Sequence, residues 1–151
     1  MSAGDITLLV EDAGWRKARG LTARLKRAAL AARRAADLEG RALTILLADD
    51  ERLHALNRDF RGKDKPTNVL SFPSAAADYA GDIAIAHGVT AREAKESGKT
   101  FADHACHLAV HGVLHLAGYD HELDRDARVM EALEVRILAS LGISDPYETA
   151  K

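Results

Sequence analysis

The chain has 151 residues, 47% of them hydrophobic and 29% charged, and a formal net charge of −2. This is an ordinary globular composition with enough chain for one proper core, and it excludes collagen-like, disordered and strongly basic classes. Cys106 is the only cysteine, so no disulfide framework and no internal disulfide partner exist, which suits a reducing compartment.

The opening MSAGDITLLVED carries an early acid and no long apolar run, unlike a signal peptide. No stretch approaches the ~20 apolar residues of a membrane-spanning helix. The expectation is a cytoplasmic protein with no membrane partner.

Ile6–Val10 reads as a short strand. Trp15 to about Asp37, rich in Ala, Leu, Arg and Lys, reads as a helix ended by Gly40. RALTILL, Arg41–Leu47, is a buried strand. Asp49 or Asp50 caps a helix running to Asn57 or Phe60, with Leu53, Leu56 and Phe60 at helical spacing. A charged loop, Arg61–Asn68, leads to a brief strand, Val69–Phe72, stopped by Pro73. Ser74–Ala80 is an Ala-rich loop, and DIAIA, Asp82–Ala86, a fourth strand. A short helix from Thr90 stops by Gly98. Thr100 caps a helix reaching about Leu116. Asp124 caps a last helix with Met130, Leu133, Ile137 and Leu141 on its core face and Gly142 after it. The order β-α-β-α-β-β-α-α-α, without repeats or linkers, points to an α+β fold. It is a single domain over residues 1–151 with a four-stranded sheet and helices packed on it.

Charge is unevenly spread. Residues 1–45 hold nine Lys/Arg against five Asp/Glu, and residues 76–151 seven against thirteen. The basic excess, including Arg16, Lys17, Arg19, Arg24, Lys26, Arg27, Arg33 and Arg34, falls in the first expected helix. Such a stripe suits either a phosphate backbone or a plain solvated face.

The most informative segment is HGVLHLAGYDH, His111–His121. On an α-helix, positions i and i+4 share a face, so His111 and His115 aim two imidazoles at one point. Gly118 suits a left-handed helix stop that turns the chain and returns His121 to the same point. Three imidazoles make a first-row metal site, most often zinc, and three protein ligands leave one position open, as catalytic sites do. The spacing follows the metalloprotease pattern H-E-x-x-H-x-x-G-x-x-H except that Gly112 stands where that pattern has its general-base Glu. The surrounding helix is apolar almost all round and should be buried centrally. His107, one turn back, is a candidate to line the cleft, donate to a phosphate or hold a partner of a ligand. His104 is expected at the periphery. Cys106 points to the far side of the helix as a small core residue. Asp120 and Glu122 flank His121 and could orient a ligand or take a proton.

Together with LNRDFRGKDKPTNVLSFP (Leu56–Pro73), GDIAIA from Gly81 and YDHELD…ALEVRILASLGI, this segment resembles the YbeY family of bacterial rRNA maturation factors, over roughly residues 40–145. The resemblance implies a metal-dependent endoribonuclease specific for single strands, active in 16S rRNA 3′-end maturation and ribosome quality control. It implies one Zn2+ per chain on His111, His115 and His121. Arg61 matches the family's cleft arginine, where its planar fork would clamp a phosphodiester. Asn68 stands where many relatives carry Asp. Implied partners are ribosomal RNA and the small ribosomal subunit, with ribosomal proteins and an assembly GTPase as further candidates. The implied fold is a mixed sheet around a central metal helix, similar to metallopeptidase cores. Competing readings are a metallopeptidase-like hydrolase and a non-enzymatic zinc-containing ribosome assembly factor.

Overall fold

In a computed structural model of the protein, residues 4–120 and 122–148 are described. The elements follow the expected order: β1 (Ile6–Val10), a 3-10 turn (Ala13–Arg16), α1 (Leu21–Ala35), β2 (Ala42–Ala48), α2 (Asp50–Arg61), β3 (Val69–Pro73), β4 (Tyr79–Ala86), α3 (His87–Glu96), α4 (Phe101–Leu116) and α5 (Asp124–Ser140). The four strands form one mixed sheet in the order β1-β2-β4-β3. β1, β2 and β4 run parallel, and β3 pairs antiparallel with β4 at the edge.

Alternation along the strands separates two apolar layers. Leu43, Ile45, Leu47, Ile83 and Ile85 face the main core with Leu21, Leu25 and Ala29 of α1, Val110, Val113 and Leu114 of α4, and Met130 and Leu138 of α5. Ala48, Leu70, Ala84 and Ala86 face the other way onto Leu53 of α2. The sheet is thus fully covered on one side and partly on the other.

Several boundaries differ from expectation for local reasons. The first expected helix, Trp15–Asp37, is two pieces, because Gly20 adopts a left-handed conformation (φ 77°) directly before α1. Arg16, Lys17 and Arg19 therefore lie outside α1. Arg33 donates to the Gly4 and Arg41 carbonyls, and Arg24 pairs with Asp103 of α4 at 2.7 Å. Two members of the basic stripe, Arg24 and Arg33, thus tie α1 to other parts of the fold. Pro73 ends β3 from inside, as an edge strand permits. β4 begins at Tyr79 rather than Asp82, and α3 at His87 rather than Thr90. The 74–78 loop is tied down by the Arg41 guanidinium, which donates to the Ala76 and Tyr79 carbonyls at 3.0 Å each. Leu123, not Asp124, takes the N-cap of α5, without a side-chain cap bond.

α4 lies unusually close to the sheet. A Cβ on Gly112 would sit 2.8 Å from Ile83 Cγ2, and one on Gly81 would meet the Phe72 carbonyl oxygen and Leu116 Cδ2. Ser71 Oγ donates to the Gly112 carbonyl at 2.9 Å, fastening the helix to β3. Gly112→Ala should therefore lower the unfolding free energy by about 1–3 kcal/mol through overpacking. In an exposed helix the same change gains ~1 kcal/mol. Denaturant unfolding decides the sign, and adding Ile83→Ala should give a double mutant that loses less than the sum of the two.

Candidate metal centre

α4 is positioned from both ends. Thr100 caps it by accepting from the Asp103 amide at 3.1 Å, and Asp103 in turn holds Arg24 of α1. At the other end Gly118 is left-handed (φ 96°). The Gly118 amide donates to the His115 carbonyl at 3.0 Å and the Tyr119 amide to the Leu114 carbonyl at 3.1 Å. These are the paired bonds of a Schellman stop, which ends the helix one residue beyond its last histidine.

The polar edge of α4 carries four histidines in a row. Ring centroids are 5.9 Å apart for His104–His107, 6.3 Å for His107–His111 and 4.5 Å for His111–His115. His111 Nε2 and His115 Nε2 face one another at 3.0 Å. Two imidazoles on a tetrahedral ion, each nitrogen ~2.0–2.1 Å from it, have nitrogens only slightly farther apart. This pair fits a shared metal in spacing and in donor chemistry. His121, the third expected ligand, lies outside the described residues.

On its other side His111 meets a residue that sequence reasoning passed over. Glu134 of α5 is fully buried. Its Oε2 accepts from His111 Nδ1 at 3.0 Å and from His107 Nε2 at 2.9 Å, and its Oε1 accepts from the Tyr147 hydroxyl at 2.7 Å. His107, His111 and Glu134 bring three donor atoms within 4.8 Å of one another and could themselves hold a metal. Burial alone would raise the Glu134 pKa. The hydrogen bonds from His107 and His111, the His111 charge and the Tyr147 bond outweigh it and hold the carboxyl at about 2. Burial, then the Glu134 bond, pushes the Tyr147 hydroxyl up. The signal for Glu134 was present in the sequence. It is an acid in helical phase with Met130, Ile137 and Leu138, where a core stripe should be apolar.

The remaining candidates fall as follows. His107 Nε2 is occupied by Glu134, and its buried Nδ1 has no hydrogen-bond partner among the described residues. His104 is not peripheral: it is largely buried, and its Nε2 meets Glu93 at 2.9 Å. Glu93 also accepts from Asn68 Nδ2 at 3.1 Å. An aspartate at 68 would oppose Glu93 with like charge, so asparagine suits this pairing. Cys106 is buried on the far side of the helix, and burial pushes its thiol up to about 11, as fits an inert core residue. Asp120 accepts from the Glu122 amide at 3.2 Å in the turn after α4.

Arg61 is not in a loop: it is the last residue of α2 and is exposed. α2 packs against the opposite sheet face from α4. Among the described residues no hydrogen bond or ion pair joins Arg61 to a histidine. The segment after it is tethered rather than loose. Asn57 Nδ2 donates to the Lys65 carbonyl at 3.0 Å, and His54 Nε2 meets Asp64 at 2.7 Å. A depression of about 550 Å³ is lined by Leu9, Leu46, Leu56, Phe60 and Phe72 on that second face. No histidine lines it, so chemistry rather than size locates the candidate site.

A family model described as Endoribonuclease YbeY matches residues 15–142. The chain belongs to the YbeY family. It is 50% identical over 148 residues to the Endoribonuclease YbeY of Rhodopseudomonas palustris strain HaA2, covering 88% of this chain and 76% of that relative. To the YbeY of Dinoroseobacter shibae it is 46% identical over 165 residues, covering 95% and 91%. The solution structure of TM1509 from Thermotoga maritima resembles it with a TM-score of 0.63 at 28% identity, over 90% of this chain and 88% of that one. That solved structure thus shares the overall α+β fold of this chain.

Glu134 sets a pH dependence. Its folded pKa lies below the ordinary 4.5. Its contribution to stability is therefore present above pH ~4.5 and lost as the pH falls toward ~2. In metal-free protein, Glu134→Gln should cost on the order of 3 kcal/mol at neutral pH. The difference from wild type should hold from pH 7 to about 4.5 and shrink below that, measured by denaturant unfolding from pH 7 to pH 2.5. A constant difference across that range would contradict the ionised, paired carboxylate.

Proposed function

We propose that the protein is a metal-dependent endoribonuclease that cuts single-stranded RNA in 16S rRNA 3′-end maturation and ribosome quality control. Membership of the YbeY family is the observation that carries this reading, and the facing His111–His115 pair supports it. The metal of this reading is zinc, one per chain, on His111, His115 and His121. When bound, such an ion polarises a phosphodiester and lowers the pKa of its water toward ~7.

The chain's own residues supply the rest. Arg61 clamps non-bridging oxygens of the scissile phosphate through its paired N–H donors, at the end of a helix whose following loop is held by Asn57 and His54. Lys63 and Lys65 in that loop add sequence-independent attraction for the backbone. His107 serves through its bond to Glu134. Peptide cleavage is disfavoured by position 112. That site faces Ile83 in the core, and a glutamate there could not be accommodated without displacing the helix from the sheet.

The working unit of this reading is a single hydrolase domain over residues 1–151, acting in the cytoplasm on ribosomal RNA within the small ribosomal subunit. No described helix is long and apolar enough to cross a membrane. Ribosomal proteins and an assembly GTPase are the further partners proposed.

Purified protein should cut single-stranded RNA but not casein, and chelator should abolish the cut. His111→Ala, His115→Ala and His121→Ala should each strip most of the zinc in elemental analysis. Arg61→Ala should keep zinc and thermal midpoint yet lose processing, as mapped by rRNA 3′ ends in cells lacking the native protein. Arg61→Lys should recover little, because a point charge does not reproduce the fork. Fully processed ends with Arg61→Ala would overturn the clamp.

A further inference from the structure

We propose that Glu134 is the positioning residue of the metal centre: it fixes the proton of His111 on Nδ1 and so commits Nε2 to the ion shared with His115. The inference rests on the metal site proposed above and adds a residue outside the three histidines.

An ionised carboxylate only accepts. Each nitrogen within hydrogen-bond distance of Glu134 Oε2 must therefore carry a proton, so His111 is protonated on Nδ1 and His107 on Nε2. Neutral His111 then has its lone pair on Nε2, the atom directed at His115 Nε2. An acceptor on one ring nitrogen sets both the tautomer and the ring plane of a ligating histidine and raises its basicity.

Glu134 is itself held from several sides. Oε1 accepts from Tyr147, Oε2 from two imidazoles, and the side chain has no exposed surface. It cannot swing away without leaving three donors unpaired. His107, drawn toward Glu134 through Nε2, leaves its Nδ1 buried and, among the described residues, unpartnered, a cost accepted for keeping the carboxylate in place.

The alternative is an ion bound directly by His107, His111 and Glu134. That arrangement requires His111 to coordinate through Nδ1. It would also sit where Glu134 is fully enclosed and His107 only 13% exposed, with Tyr147 occupying the other carboxylate oxygen. Such a site has no open face for a substrate.

Two-bond proton–nitrogen NMR correlations of 15N-histidine protein separate the two arrangements. In metal-free wild type, His111 should be the Nδ1–H tautomer. On adding zinc its Nε2 should take the coordinated shift while Nδ1 stays protonated. Zinc on His111 Nδ1 would overturn the proposal. In Glu134→Gln, His111 should become a mixture of tautomers and zinc affinity should fall about 10–100-fold. Saturating zinc should then restore most of kcat on single-stranded RNA. Tyr147→Phe, at a half-exposed position that should fold normally, should weaken zinc by a few-fold in the same direction. Wild-type tautomer and zinc affinity in both variants would sink the idea. Protein that binds zinc with the expected tautomer yet cuts no RNA would remove the functional reading and leave the positioning role intact.

Discussion

Helix α4 can rest on β4 only because position 112 has no side chain. A Cβ there would strike Ile83, a stiff β-branched residue in the middle of the sheet. The close approach lets Ser71 reach the helix backbone and seals the apolar side of α4, with Val110, Val113 and Leu114, against Ile83 of the sheet. It also fixes the rotation of the helix. With Gly112 against the sheet, the stripe of His104, His107, His111 and His115 faces away from it toward α3 and α5. The metal edge and the packing edge are two sides of one constraint.

The same constraint recasts the resemblance to metallopeptidase motifs. The histidine spacing is shared, but the residue between them serves packing. A glutamate at 112 would not restore a base, because it would have to enter the core. Among the described residues, the carboxylate that meets His111 comes from α5 instead, and it approaches from the side away from His115. A carboxylate beside the histidines is therefore not by itself a general base: Glu134 is already occupied by two imidazoles and a phenol. Fold likeness alone says nothing of such roles.

Much of the architecture was legible in the sequence because its signals are local. Thr100 and Gly118 bracket α4 as cap and stop, the strands carry unbroken apolar runs, and the His111–His115 spacing is read directly. What escaped has two physical origins, the backbone conformation of single glycines and contacts between distant segments. Gly20 splits the first helix by backbone conformation, although the composition around it is strongly helical. His104 looked peripheral on its own helix but is buried by Glu93 of α3. Glu134 and Tyr147 lie 23 and 36 residues beyond His111, and only the fold brings the carboxylate to the imidazole. Arg61 was expected in a loop and ends a helix, because Gly62, not Phe60, provides the left-handed stop.

Chain order gives one last consequence. All four strands, residues 6–86, precede α4 in the sequence, yet α4 supplies much of the cover for their apolar face. During synthesis at ~5–20 residues per second, the nascent sheet has no lid for the seconds before residues 101–116 emerge. α1 alone can shield part of it, beside β1. The exposed margin is β3 with β4. The interval is one in which a holdase chaperone, or a pause in elongation, would act on this chain.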